Sequence, residues 1–150
     1  MNMPSLAFNK RAKFDYEILD TWEAGLVLTG QEVKSVRANR MSLAGAFVHI
    51  RGGAAWLVNS HVPKFDKAGK LEGYDPDQSR KLLLHKRELN KLSGKLEQKG
   101  LTLVPISVYT KGSKIKLEFG LARGKKQYEK KELLKKRDID RDIRRSLSGK

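Results

Sequence analysis

The chain contains no cysteine, which excludes a disulfide framework and every thiolate metal site. Its three histidines, His49, His61 and His85, show no paired spacing and no carboxylate cluster beside them, so neither a metal nor a cofactor is expected. No apolar run approaches the roughly 20 residues that span a bilayer. The opening MNMPSLAFNKRAK lacks the long apolar core of a secretory signal. These absences point to a soluble cytoplasmic protein with no membrane partner. Nucleophile patterns are missing as well, since no serine stands in G-x-S-x-G. GLARGKK looks like a phosphate loop but fails on spacing. Three residues separate Gly120 from Gly124, and neither Ser nor Thr follows the lysine. No enzyme is expected.

Acidic residues are also in short supply, with 17 Asp and Glu against 32 Lys and Arg and a net charge of +15 over 150 residues. From Arg123 to the C-terminus there are 12 basic and 5 acidic residues, and the preceding 122 residues hold 20 and 12. Such an excess calls for a polyanion, because neutralising phosphates releases condensed counterions. An anionic membrane is the alternative, but no segment carries the broad apolar face that surface helices need. Nucleic acid is the better reading. The length suits one domain, with a folded body over residues 1–122 and a charged tail over 123–150.

Several short strands are legible. FDYEILDTWEAGLVL alternates through Phe14, Tyr16 and Ile18 and predicts a long strand bent or bulged near Ala24-Gly25. Thr29 and Glu32 have capping-box spacing, and Val33 with Val36 predicts a short helix behind them. GAFVHI and AAWLVNSHV flank Gly52-Gly53 as a hairpin, and a second hairpin surrounds Lys111-Gly112-Ser113. Pro105 marks an edge or a bulge in that second hairpin. Between them lie a long surface loop over Lys64–Gln78, a short strand in SRKLLLH, and a helix through Leu89, Leu92 and Leu96 with Gly100 as its C′ residue. The fold class expected is mainly β, a small closed antiparallel OB-like barrel with two or three outer helices. A flat α+β sandwich is the alternative.

Binding signals are stronger than catalytic ones. NKRAKFDY interleaves Asn9, Lys10, Arg11 and Lys13 with Phe14 and Tyr16, which suits phosphate contact beside base stacking, or else a frayed basic N-terminus. Lys34 and Arg37 share one side of the first helix, as an RNA contact or a solvated face. In the tail, Ile139, Ile143 and Leu147 form a stripe too thin to hold a helix against a core. Disorder when free with helix formation on a polyanion fits this pattern, and so does a solubilising tail.

Five strings, NKRA, EAGLVLTGQEVKSVR, RKLLLHKREL, KGLTLVP and GLARGKKQYEKK, occur in this order. Together they resemble the small protein B family, the SsrA-binding proteins, from about Asn9 to the C-terminus. The resemblance implies an oligonucleotide-binding-type barrel that binds the tRNA-like part of transfer-messenger RNA and supports its aminoacylation. It further implies entry into stalled ribosomes with an elongation factor, which the chain meets indirectly through the aminoacylated RNA. There the protein takes the place of the missing codon–anticodon helix, and its tail becomes helical in the empty messenger channel. The runner-up is a general basic nucleic-acid chaperone or ribosome-associated protein without a dedicated RNA. A monomer is the default.

The family's RNA-facing barrel positions match Glu23, Leu83 and His85. An acid such as Glu23 does not neutralise phosphate, so its expected role is to accept hydrogen bonds from a base edge or a 2′-OH. Leu83 would pack on a ribose or base, although in isolation it reads as a core leucine. Relatives commonly have Asn where His85 stands, and the ring keeps a polar, stackable group. The full RNA-binding set expected is Asn9, Lys10, Arg11, Glu23, Lys34, Arg37, Leu83, His85, Arg123, Lys125 and Lys126. The expected ribosome-binding residues of the tail are Tyr128, Lys130, Lys131, Lys135, Lys136, Arg137, Arg141, Arg144 and Arg145. Tyr128 stands where relatives often have His, and stacking on a decoding-centre base is the role this implies. Lys131 replaces a usual arginine, keeping charge without the bidentate fork.

Overall fold

The computed structural model describes residues 5–65 and 73–125. Its elements run β1 (Ser5–Phe8), α1 (Ala12–Asp15), β2 (Tyr16–Leu26), α2 (Gly30–Arg37), β3 (Phe47–Arg51), β4 (Ala54–Val58), β5 (Arg80–Leu83), α3 (Lys86–Leu96), β6 (Leu101–Lys111) and β7 (Lys114–Gly124). All pairings are antiparallel and follow the order β6-β3-β4-β5-β2-β7, and β7 pairs back onto β6. The ladder therefore closes into a ring, the closed antiparallel arrangement expected, and not a flat sandwich. β1 and β3 share the other edge of β6, β3 at Leu103 and β1 at Ser107–Tyr109. Closure leaves few unpaired strand edges.

Alternation explains which faces turn inward. Val48, Leu57, Leu82, Leu103, Val108, Leu117 and Phe119 are buried in one cluster that also takes Val36 from α2 and Leu92 from α3. Leu89 and Leu96 pack on the same cluster, as their helical spacing predicts. Gly52 and Gly53, at φ +61 and +73, close the β3–β4 hairpin with the left-handed two-residue turn that the strand twist favours. Gly112 at φ +62 opens the turn between β6 and β7.

Three local expectations are corrected. Phe14 lies not in a strand but in the four-residue α1, where its ring is buried beneath the Arg11 guanidinium, 4.5 Å away. The period-two pattern of Phe14, Tyr16 and Ile18 hides a helix of only one turn. The bulge of β2 falls between Ile18 and Asp20, opposite Leu121 and Ala122, and not at Ala24-Gly25. A Cβ at Gly120 would stand 2.9 Å from Ile18 Cγ2 and 3.2 Å from the Asp20 carbonyl, so only glycine lets β2 press this close. Finally, α3 ends at Leu96, before Gly100; Gly100, at φ +85, turns the chain into β6. Pro105 does sit beside a bulge, between Pro105 and Ser107.

The capping box of α2 is present on both sides, with Glu32 N–H donating to Thr29 Oγ1 and Thr29 N–H donating to Glu32 Oε1. The same Glu32 has a second task. Its Oε2 accepts from Arg80 Nη2 at 2.6 Å and Nε at 2.9 Å, with both side chains 2% exposed. The remaining guanidinium donors reach the Ser60, Gln78 and Pro76 carbonyls and Ser60 Oγ. Gln78 Nε2 also donates to Glu32 Oε2, and the Tyr74 hydroxyl lies 2.7 Å from the Val62 carbonyl and 3.1 Å from Glu32 Oε2. A buried pair is tolerated when its leftover lone pairs and protons are satisfied, and here they are. Burial pushes the Glu32 carboxyl up, but the Thr29 N–H, Arg80 and Gln78 outweigh it and hold the group below its usual range.

Arg80→Met leaves Glu32 buried without its charge partner and is expected to cost about 3–5 kcal/mol, read as the urea midpoint at neutral pH. Because the native Glu32 pKa is lowered, its contribution is complete above the ordinary 4.5 and is lost as pH falls through the native value. The gap between wild type and variant should therefore narrow in acid. A gap that widens on acidification would rule this account out.

Candidate nucleic-acid interface

The strand β2 leaves β7 and joins β5 at Gly25, which faces Lys116 on one side and Leu83 on the other. A Cβ at Gly25 would lie 3.3 Å from Leu83 Cβ, so the glycine lets Leu83 settle across the strand. Here the surface opens into a groove of about 900 Å³. Glu23, Leu83 and His85 all line it, together with Glu88 from α3, Val33 from α2, Ser113 from the β6–β7 turn and Lys114 and Lys116 from the start of β7. The three barrel positions carried over from the family resemblance thus come together from β2, β5 and the start of α3.

Leu83 is 58% exposed, whereas its neighbour Leu82 is 2% exposed. The reading of Leu83 as a core leucine is corrected: the β5 register sends Leu82 inward and Leu83 out. His85 is the N-cap residue of α3, its backbone N–H donating to Glu88 Oε1 at 3.2 Å, and its side chain is exposed. An exposed leucine beside an imidazole suits a ribose or a base better than water.

Glu23 is held from below. The Tyr109 hydroxyl donates to its Oε2 in a short hydrogen bond, and Lys111 Nζ lies 3.3 Å from Oε1. The Tyr109 bond is the main reason its carboxyl is held below the usual range; partial burial opposes this, and Lys111 and Lys116 add to it. Burial first, then the hydrogen bond to Glu23, pushes the Tyr109 phenol well above its usual range, so it remains a donor. Across β2 and β7, Glu23 stands opposite Glu118, a like-charge pairing that costs sheet stability. A residue kept against such a cost and fixed in one orientation is organised to accept hydrogen bonds. Sequence reasoning did not find Tyr109, Lys111, Lys114 or Lys116, since only closure of the ring brings β6 and β7 to Glu23.

The other candidates divide. Arg37 Nη2 donates to the Ser113 carbonyl at 3.3 Å, which places it at the groove's edge. Lys34 lies 6.0 Å from the Phe65 ring centroid and does not line the groove. The N-terminal set sits elsewhere. Asn9 Nδ2 donates to the Pro105 carbonyl and its Oδ1 accepts from Arg11 N–H, so this side chain secures the turn into α1. Arg11 forms a two-point pair with Asp15 at 3.1 and 3.2 Å. Lys10 is exposed. Arg123 pairs with Glu17 at 3.0 Å, and Lys125 Nζ donates to the Lys13 carbonyl. Arg123 is still part of β7. Lys126, Tyr128, Lys130, Lys131, Lys135, Lys136, Arg137, Arg141, Arg144 and Arg145 lie outside the described residues.

The two groups occupy opposite ends of one hairpin. Gly124 pairs with Tyr16, whereas Lys116 pairs with Gly25. Arg123 lies seven positions beyond Lys116 on β7, about 23 Å at strand rise.

The sequence matches the family model described as SmpB protein over residues 6–149. The chain belongs to the SmpB family. It is 51% identical over 139 residues to the SsrA-binding protein of Gloeothece citriformis, covering 93% of this chain and 90% of that one. It is 49% identical over 150 residues to the SsrA-binding protein of Sulfurihydrogenibium sp., covering 100% and 98%. In fold it is similar to a chain of the solved structure "tmRNA-SmpB: a journey to the center of the bacterial ribosome", with TM-score 0.66, 49% identity, and coverage of 80% of this chain and 84% of that one. Among the described residues no helix is long and apolar enough to cross a membrane.

Tyr109→Phe removes the donor beneath Glu23. The Glu23 midpoint should rise toward its ordinary 4.5, as read by carbon-13 NMR of the carboxyl. RNA affinity should fall by about 1 kcal/mol, the value of one oriented hydrogen bond. An unmoved midpoint would show that the phenol is not what holds the carboxylate.

Proposed function

We infer that the chain is the transfer-messenger RNA-binding adaptor of trans-translation, delivering that RNA to stalled ribosomes and occupying the decoding site in place of a codon–anticodon helix. The observation that carries the reading is the groove, where Glu23, Leu83 and His85 meet under a rim of Lys114 and Lys116 in a chain of the SmpB family. In this reading Glu23 accepts from a base edge or 2′-OH, Leu83 packs on a ribose or base, and His85 stacks. The lysines screen the nearby phosphates.

The protein acts by binding, not by catalysis, in the cytoplasm and as a monomer. Residues 1–122 form the RNA-holding body and the basic tail over 123–150 is the part that meets the ribosome. Asn9, Arg11, Arg123 and Lys125 gather where the chain leaves β7, so the tail departs from the end opposite the groove. RNA held at one end leaves the other free for the decoding site and the messenger channel, with Tyr128 and the surrounding lysines as its contacts.

Competition separates this from a general nucleic-acid chaperone. Unlabelled transfer-messenger RNA should displace the bound RNA far better than total tRNA does; equal displacement would exclude a dedicated partner. His85→Ala should cost roughly 1–3 kcal/mol of RNA affinity through lost stacking, and binding should weaken steeply with salt. Truncation after Gly124 should keep RNA affinity and abolish peptide tagging on stalled ribosomes. RNA binding lost to background in that truncation would move the RNA site to the tail.

A further inference from the structure

A second open groove, of about 880 Å³, lies on the outer face of β3, β4 and β5. In the sheet register His49 stands opposite Trp56, and Trp56 opposite Lys81, so ring, ring and ammonium form one row across three strands. Phe47 lies two residues before His49 and Arg51 two residues after it, both on the same face. Phe47 is 40% exposed among the described residues, a large aromatic surface left open. Among the described residues the groove is lined by three aromatic rings and two cations and by no carboxylate. It lies next to the first groove along β5. Leu83 follows Lys81 by two residues on β5, about 7 Å along the strand and on the same face, and Leu83 lines the first groove.

We propose that this face is a stacking platform for unpaired nucleotides of the RNA held at Glu23, Leu83 and His85, with Trp56 as the central ring. Base faces stack on Trp56 and its neighbours His49 and Phe47, while Lys81 and Arg51 meet the phosphates on either side. The chemistry selects single-stranded nucleic acid over duplex, because only unstacked bases offer their faces to a ring. It favours RNA over a protein partner, because flat rings bordered by cations alone match a polyanion that carries π-faces. The assignment rests on the first groove holding the same RNA, and it extends that footprint across β4 to β3.

The chain has two tryptophans, and Trp22 is occupied against Phe119 with ring centroids 6.3 Å apart. Trp22→Phe therefore leaves Trp56 as the only indole emitter in an otherwise complete chain. Titrating this variant with a transfer-messenger RNA transcript should quench the emission and saturate together with binding measured by filter retention. Trp56→Ala should weaken binding by about 5- to 150-fold, the loss of one stacked base, while Trp56→Phe retains most of the affinity. Lys81→Ala should lower the slope of log affinity against log salt by about one contact. Circular dichroism checks that each variant is folded, and the emission readout needs no change at Trp56.

Emission unmoved by saturating RNA, with Trp56→Ala and Lys81→Ala binding as wild type, would overturn the platform and leave the face to a protein partner. His85→Ala would still weaken binding in that case, so the first groove would stand. Quenching and a Trp56→Ala defect without any His85→Ala effect would keep the platform and remove the first groove instead.

Discussion

The buried pair of Glu32 and Arg80 joins parts of the chain that share no strand. Glu32 belongs to the first turn of α2, and Arg80 is the first residue of β5. Through the guanidinium, the carbonyls of Ser60, Pro76 and Gln78 are collected around one point. The long excursion between β4 and β5 is thereby returned to the ring in a defined register. Everything downstream on β5 inherits that register. Leu82 turns into the core, Leu83 turns out into the groove, and His85 arrives at the start of α3. Desolvating two charges is expensive, and the cost is met only because nearly every donor and acceptor in the cluster has a partner.

Closure of the ring has a second consequence. A hairpin of two eleven-residue strands, β6 and β7, pairs along its length with β2, so one continuous ladder reaches from the groove to the point where the tail departs. The two bulges, between Ile18 and Asp20 and between Pro105 and Ser107, flank the same stretch of β7 and bend it around the core. Gly120, which has no room for a Cβ, lies against Ile18 and Asp20 of β2 and Ile106 of β6. A stiff ladder of this kind suits an adaptor whose two contact regions must keep their separation.

Much of this was legible in the chain. Alternating residues bounded by Gly-Gly and Lys-Gly-Ser predict both hairpins, because turn chemistry and period-two patterning are local. The capping box at Thr29 and Glu32 and the leucine face of α3 are local too. The misplacements were of a different kind. A one-turn helix at Phe14 is shorter than the pattern that reveals helices, and the β2 bulge depends on Gly120, about a hundred residues away. His61 and Asp77, 2.7 Å apart, are likewise brought together only by the fold. Of the groove, Glu23, Leu83 and His85 were found through motif resemblance. Tyr109, Lys111 and Lys116 were not, because no spacing links them to Glu23.

By itself, then, the amino-acid sequence determined the class of partner, the positions of the turns and most of the strands, and the density of charge in the tail. Those properties follow from composition and from interactions a few residues long. Tertiary structure alone decided that Leu83 is surface and not core, that Glu23 is aimed by Tyr109, and that Asn9 and Arg11 secure a turn at the end opposite the groove. It also set Phe47, His49 and Trp56 on one open face with Arg51 and Lys81. Each of these depends on strand register around a closed ring, where a shift of one residue would exchange inside for outside. Register is set by pairings between residues far apart in the chain, and no local pattern encodes them.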